Sequence, residues 1–236
     1  MFFGWFYYDW TILIVLPAML FAMFAQIKVN STFERFSKVN TRSGMTAAQA
    51  ARHMLDANGL HDVMITRTKG HLSDHYNPKD RTLYLSDSVH DARSAAAIGV
   101  ACHEAGHALQ HAKGYAPLHI RMSMVPVCNI GSGLAMPLFL IGLFFAGDFG
   151  YVFMLIGIAL FSLATLFQLV TLPVEFNASR RALAGMEDCG ILAQDEIGGA
   201  KKVLRAAAMT YVAAAFAAIA ELLRLLAIIG LRRGDD

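Results

Sequence analysis

Four long apolar segments constrain the fold of this 236-residue chain more than any other feature. Three of them hold no charged residue, and the second and third are separated only by Asp148. A helix needs about 20 apolar residues to cross a bilayer, and each segment meets this length. The chain is therefore predicted to be a membrane protein with three or four transmembrane helices. The segments lie at 10–27, 122–147, 149–174 and 206–231.

The composition agrees with a membrane protein and excludes several other classes. Only 16% of the residues are charged, against about 25% in a typical soluble domain, and the mean hydropathy is +0.46. The net charge of +2 gives no reason to expect a nucleic-acid partner. The three cysteines are odd in number and form no C-x-x-C pair. They therefore predict neither a disulfide framework nor a cysteine zinc site.

The first and last apolar segments differ in how they are expected to meet the membrane. No Lys or Arg precedes the first segment and no small-residue cleavage site follows it, so it is predicted to be a retained anchor rather than a signal peptide. Its aromatic belt would be Trp5, Tyr7, Tyr8 and Trp10. The last segment carries Glu221 and Arg224, so it either spans the membrane with these charges facing inward or lies partly at the interface.

Positive charges predict the orientation. Twelve Lys or Arg residues lie in 28–121 and five in 175–205, whereas residues 1–10 and the 147–150 turn have none. The positive-inside rule then places both charged segments in the cytoplasm. The expected protein is integral to a bacterial inner membrane, with its polar segment facing the cytoplasm. Arg232 and Arg233 oppose this orientation if the last segment spans.

The polar segment between the first two spans has the pattern of a small α+β domain. Residues 46–58 predict an amphipathic helix with Thr46 as its N-cap and Gly59 closing it. Residues 63–68 and 82–85 read as strands. A third element, Ser94 to Ala112, predicts a helix that ends at Gly114.

The sequence His103-Glu104-Ala105-Gly106-His107 within this last helix matches H-E-x-x-H. Two histidines four residues apart lie on one helical face and reach one zinc ion at about 2.0–2.1 Å. The glutamate between them is placed to act as general base on a zinc-activated water and then to protonate the leaving amine. The motif therefore predicts a zinc peptidase.

A catalytic zinc site needs a third protein ligand. His111 lies about 6 Å further along the helix axis than His107, and His119 follows a turn, so neither is favoured. Glu175 is the better candidate. Two spans separate it from His107, which places both on the same membrane face.

Three stretches resemble the YugP-type neutral zinc metallopeptidases: SDHYNPKDRTLYLS at 73–86, AIGVACHEAGHALQH at 97–111 and LPVEFNASRRAL at 172–183. The resemblance covers nearly the whole chain, including the order of the spans. The architecture is more distantly similar to HtpX and the CaaX prenyl proteases, in which a glutamate in an E-x-x-x-D setting follows the motif helix after two spans.

This resemblance implies a gluzincin site with His103, His107 and Glu175 as ligands and Glu104 as base. Ser179 occupies the position of the aspartate in the distant relatives. The group that orients a histidine is therefore expected to be Asn177 or a carboxylate elsewhere.

The fold class predicted from these observations is a mainly α membrane protein with a small α+β zincin-like catalytic domain that carries the H-E-x-x-H helix. The predicted segments are an anchor at 1–27, a catalytic segment at 28–121, a transmembrane hairpin at 122–174, a segment with the third ligand at 175–205, and a transmembrane or interfacial helix at 206–236.

The predicted activity is that of a membrane-bound zinc metalloendopeptidase acting on a peptide or a membrane-protein substrate, with the lipid bilayer as its surroundings. An extended substrate is expected to pair with Thr82–Leu85 as an edge strand. The donor for the oxyanion is sought among His75, Tyr76, Arg180 and Arg181, with Arg180 and His75 favoured. Two alternatives stay open: a site-2-type intramembrane protease, and a zinc-binding membrane scaffold or regulator without turnover.

Overall fold

The computed structural model describes residues 10–70 and 73–234 and is mainly helical. Four of its helices are long and apolar enough to cross a membrane, so the predicted fold class is confirmed. Trp5, Tyr7 and Tyr8, predicted as part of an aromatic belt, lie outside the described residues. The elements are α1 (Ile12–Ser37), α2 (Ala47–Ala57), β1 (Met64–Thr68), β2 (His75–Asn77), β3 (Thr82–Ser86), α3 (Ala95–Ala112), α4 (Ala116–Phe144), α5 (Gly147–Asp188) and α6 (Gln194–Gly234).

The chain divides into two compact units, and the elements described in the first are all helices. It comprises residues 1–24, 120–171 and 211–236. Phe139, Met154 and Leu225 belong to a buried cluster contributed by α4, α5 and α6. Many large apolar side chains of this unit are exposed instead, among them Ile130 and Phe144. Such a surface suits contact with lipid chains rather than with water.

Three charged residues of α6 in this unit, Glu221, Arg224 and Arg232, have partners within the chain. Glu221 and Arg224 form an ion pair of 3.3 Å, and Arg224 also donates to the Thr11 hydroxyl at 3.4 Å. Arg232 donates to the Gly142 carbonyl at 2.8 Å, at the end of α4 where carbonyls lack helical partners. The pairing of Glu221 with Arg224 agrees with a spanning α6, because intramembrane charges normally pair inside a bundle.

The helix boundaries around the predicted hairpin differ from expectation in two places. The turn lies at 145–146, so Asp148 falls in the first turn of α5, where the helix dipole favours a carboxylate. The helix also extends beyond the predicted apolar segment 149–174, as far as Asp188. Helix α5 runs through Pro173 without a break, since a long helix in a membrane protein tolerates proline when neighbouring groups satisfy the freed backbone.

The second unit comprises residues 25–119 and 172–210 and holds the sheet. Helix α2 begins as predicted with Thr46 as N-cap, in a capping box with Gln49. Its apolar face packs against α3, and Met54, Leu55 and Ile98 are fully buried in the shared core. One face of α3 is therefore packed in the apolar core, and its polar face remains available for a site.

The sheet has the strand order β1-β3-β2, with β1 parallel and β2 antiparallel to β3. The predicted strands near 63–68 and 82–85 are present, but β2 was not predicted. Because β3 is the central strand, the expectation that a substrate pairs with Thr82–Leu85 as an edge strand is wrong. Both sides of β3 are already paired, and the free edges belong to β1 and β2.

Candidate metal centre

Helix α3 holds the two motif histidines on one face. Ser94 caps its first turn by accepting the Ala97 N–H at 3.3 Å, and Gly114, with φ of +62°, follows its end. The small residues before the motif favour helix formation and close packing. The rings of His103 and His107 lie 4.8 Å apart and nearly perpendicular, so both imidazoles project into the same space.

Helix α5 brings Glu175 to this pair through a close approach of two backbones. A Cβ atom built on Gly106 would lie 2.6 Å from the Ala178 carbonyl oxygen, a distance that real Cβ atoms do not adopt. Only glycine therefore allows α3 to pack this closely on α5. The contact lies between His103 and His107 on one helix and between Glu175 and Ser179 on the other.

The three predicted ligands form one buried group. Oε2 of Glu175 lies 3.2 Å from Nε2 of His103 and 3.6 Å from Nε2 of His107, and the three ligand atoms lie within 4.8 Å of one another. Ligands at about 2.0–2.1 Å from a tetrahedral zinc lie about 3.4 Å apart. The donor set and its spacing therefore fit a zinc ion. Glu175 is only 2% exposed.

The other ring nitrogen of each histidine has a hydrogen-bond partner. Nδ1 of His103 lies 3.1 Å from the Ser179 hydroxyl, and Nδ1 of His107 lies 3.0 Å from Oε1 of Gln110. An Nδ1–H that donates to these oxygens leaves the Nε2 lone pair directed at the shared space, the arrangement usual for metal-binding histidines. Asn177 or a carboxylate was expected to orient a histidine, but the side chain beside Nδ1 of His103 is the Ser179 hydroxyl.

Gln110 links the two helices and was not identified from the sequence. Its side chain is fully buried, and its amide nitrogen donates to the Val174 carbonyl at 2.8 Å and to the Asn177 side chain at 3.0 Å. Arg181 donates to the same Asn177 oxygen at 2.7 Å. Asn177, one of the expected orienting residues, therefore acts on His107 through Gln110. The sequence feature that could have identified Gln110 is its position three residues after His107, on the same face of α3 as the motif.

Glu104 is held by the neighbouring strand. Its Oε2 accepts the backbone N–H of Tyr76 in β2 at 3.0 Å. Burial raises the pKa of Glu104 above its usual range, although the charges of His107 and His103 act in the opposite direction. A carboxyl group whose pKa is raised toward neutrality is suited to both accept and return a proton.

The electrostatics of His107 show how strongly the carboxylates act on this group. Burial disfavours its charged form, but the hydrogen bond to Glu175 and the charge of Glu104 outweigh burial and raise the pKa of His107. A metal ion, which binds the neutral ring, would occupy this position in place of a proton.

The roles of His75 and Arg180 as oxyanion donors stay predictions, and the structure shows the surroundings of each side chain. The His75 ring stacks on Tyr84 at 4.8 Å, and its Nδ1 lies 2.9 Å from the Ser73 carbonyl. Arg180 is exposed and lies about 140° around α5 from Glu175, because five residues turn a helix by that angle.

Tyr76, His111 and His119, also considered from the sequence, lie near one another. The Tyr76 hydroxyl is 2.9 Å from Nδ1 of His111, one turn beyond His107, and the His111 ring lies 6.0 Å from that of His119. Tyr115 donates instead to the Pro173 carbonyl at 3.4 Å. Neither His111 nor His119 belongs to the ligand group found among the described residues.

Comparison with known proteins identifies the family of this chain. Residues 11–230 match the family described as "Putative neutral zinc metallopeptidase". The chain is 47% identical over 213 residues to the "Putative membrane protease YugP" of Bacillus subtilis (strain 168), an alignment that covers 90% of this chain and 93% of that protein. No solved structure matches the chain. The family match and the relative together show that this chain belongs to the neutral zinc metallopeptidase family.

Proposed function

We propose that this protein is a membrane-bound zinc endopeptidase that cleaves peptide or membrane-protein substrates. The observation that carries the proposal is the buried convergence of His103, His107 and Glu175, with the second nitrogen of each histidine already engaged. His103, His107 and Glu175 would hold the ion. A zinc ion bound there supplies Lewis acidity that polarises the scissile carbonyl and makes water nucleophilic near neutral pH.

Glu104 is the general base in this proposal. Its carboxylate takes a proton from the attacking water and returns it to the leaving amine. The Tyr76 N–H fixes one carboxylate oxygen at 3.0 Å and leaves the other oxygen for the water. Burial keeps the group out of bulk solvent, so its proton affinity is set by the site.

Tyr76 replaces Arg180 and His75 as the proposed oxyanion donor. Its side chain packs on the core beside α3, and its hydroxyl reaches His111. Burial raises the pKa of Tyr76, so the phenol keeps the proton that a donor needs. Burial and the charges of His119 and Arg81 lower the pKa of His111. A neutral His111 that donates from Nδ1 to the phenol oxygen leaves the phenol proton for the oxyanion.

The protein is further proposed to lie in a bacterial inner membrane, with residues 28–121 and 175–205 forming the catalytic part on the cytoplasmic side. In this assignment 1–27 is the anchor, 122–174 the transmembrane hairpin and 206–236 the fourth transmembrane helix. The charge asymmetry supports it. Glu221 and Arg224, the charges within the last apolar segment, pair with each other, which supports a spanning α6.

The first prediction concerns metal content. Purified protein should retain about one zinc per chain, as expected for a single three-ligand site, and His103→Ala, His107→Ala and Glu175→Ala should each lose most of it. Plasma mass spectrometry of the purified variants measures this. Matched controls are His111→Ala on the same helix face and Glu187→Ala on the exposed side of α5, which should keep their zinc. Full zinc in the His103→Ala/His107→Ala double variant would contradict the ligand assignment.

The second prediction separates an enzyme from a scaffold. Glu104→Gln should keep its zinc, because glutamine still accepts the Tyr76 N–H, but should lower casein cleavage by about 10²–10⁴-fold. Glu187→Gln is the control and should cleave normally. If zinc-loaded wild-type protein cleaves no faster than Glu104→Gln, the protein is a scaffold or regulator without turnover.

The third prediction tests the oxyanion donor. Tyr76→Phe removes one hydroxyl and keeps the strand contact, so zinc content should stay full while kcat falls by about 10²–10³-fold. His75→Ala and Arg180→Ala should retain near-normal kcat. The reverse pattern, with Arg180→Ala slow and Tyr76→Phe normal, would restore Arg180 to the role first expected of it.

The fourth prediction concerns orientation. A cysteine introduced at the exposed Asp148, in a chain whose three native cysteines are replaced, should react with a membrane-impermeant maleimide added to intact cells. A cysteine at Lys69 should react only after the cells are opened. Labelling of Lys69→Cys but not Asp148→Cys in intact cells would mean that the catalytic part faces outward.

A further inference from the structure

A cleft of about 440 Å³ lies between α1 and α6, within the second unit and composed of residues other than those of the metal centre. On the α1 side it is lined by Lys28, Ser31, Thr32 and Arg35. These residues are spaced i, i+3, i+4 and i+7, so they form one continuous helical face. Two cations and two hydroxyl groups of α1 therefore point to the same space.

Helix α6 presents a face of the same spacing. Its lining residues are Lys202, Arg205, Ala206 and Met209, again at i, i+3, i+4 and i+7. The positions closest to the polar start of α6 are cationic, and the positions further along are apolar. The cleft thus has a charged part and an apolar part along one helix.

The four cations of the cleft form no ion pair with any carboxylate that the structure describes. Lys28, Arg35, Lys202 and Arg205 are exposed, and within residues 10–70 and 73–234 no ion pair engages any of them. The ring of Phe36 lies between two of them, 5.6 Å from the Arg35 guanidinium and 5.7 Å from the Lys202 ammonium. Four like charges in one cleft repel one another unless an anion neutralises them.

The cleft lies where both helices change from polar to apolar sequence. Lys28 is the first charged residue after the apolar segment 10–27 of α1, and the apolar segment of α6 begins at Ala206. In a spanning helix this change marks the level of the lipid headgroups. The most abundant anion at that level is the phosphodiester of a phospholipid.

We infer that this cleft binds the headgroup of an anionic phospholipid. The arginines suit the phosphate because a guanidinium donates two parallel hydrogen bonds to it. The lysines add charge, and Thr32 offers a hydroxyl near the same space. Ala206 and Met209 lie toward the apolar segment, where the glycerol and the first acyl carbons would continue. A general excess of cytoplasmic cations explains positive charge on this face of the membrane. It does not explain why four cations line one cleft whose lining includes no carboxylate.

The test compares lipid retention by full-length variants. Wild-type protein is equilibrated in detergent with an equimolar mixture of phosphatidylglycerol and phosphatidylcholine, and bound lipids are counted by native mass spectrometry. Wild-type protein should retain phosphatidylglycerol preferentially. The cleft variant carries Lys28→Gln/Arg35→Gln/Lys202→Gln/Arg205→Gln. Its ratio of retained phosphatidylglycerol to phosphatidylcholine should be lower by about tenfold, because each cation attracts an anionic headgroup. The control Lys38→Gln/Lys69→Gln/Lys79→Gln/Lys201→Gln loses the same charge outside the cleft and should keep the wild-type ratio.

Each other outcome overturns the inference. Equal loss in both quadruple variants means general surface attraction, and an unchanged preference in the cleft variant means that the lipid binds elsewhere. Displacement of the lipid by soluble glycerol phosphate as readily as by a short-chain phosphatidylglycerol means that the cleft holds a free phosphate compound. If the cleft variant loses its helical circular dichroism, Lys202→Gln/Arg205→Gln replaces it, with Lys202→Arg expected to bind normally.

Discussion

The close packing of α3 on α5 at Gly106 and Ala178 is the contact on which the site depends. Two histidines four residues apart follow from the geometry of one helix, but Glu175, the proposed third ligand, lies 68 positions beyond His107 and is brought to them by the fold. The absence of a side chain at Gly106 lets the Ala178 carbonyl come close enough. Glu175 and Ser179 then flank that contact and meet the histidines from the opposite side.

This packing places several polar groups where water is scarce, and each needs a partner to offset its loss of hydration. Glu175, His107 and Gln110 are all buried, and Gln110 connects α3 to α5 by donating to the Val174 carbonyl and to the Asn177 side chain. Ser179 and Gln110 set the direction of the two rings, and Asn177 sets Gln110. The site is therefore organised before any ion arrives, which reduces the ordering that metal binding must impose.

Much of this arrangement could be predicted from the sequence because it depends on local rules. The Thr46 cap and the spacing of the motif histidines involve residues within a few positions of one another. Helix α5 was harder, since Pro173 usually ends a helix in a soluble protein. Strand β2 has three residues, too few to show an alternating pattern. Gln110 was missed because its role depends on backbone and side-chain groups of a distant helix.

X-ray absorption at the zinc edge tests the central claim most directly, because it identifies the atoms bound to the ion without reference to activity. For purified wild-type protein the account predicts one kind of site, with two imidazole nitrogens and oxygen ligands at about 2.0–2.2 Å. Glu175→Ala should lose zinc, or retain it with a changed oxygen shell. A spectrum with sulfur at about 2.3 Å, or one left unchanged by Glu175→Ala, would contradict the ligand set of His103, His107 and Glu175.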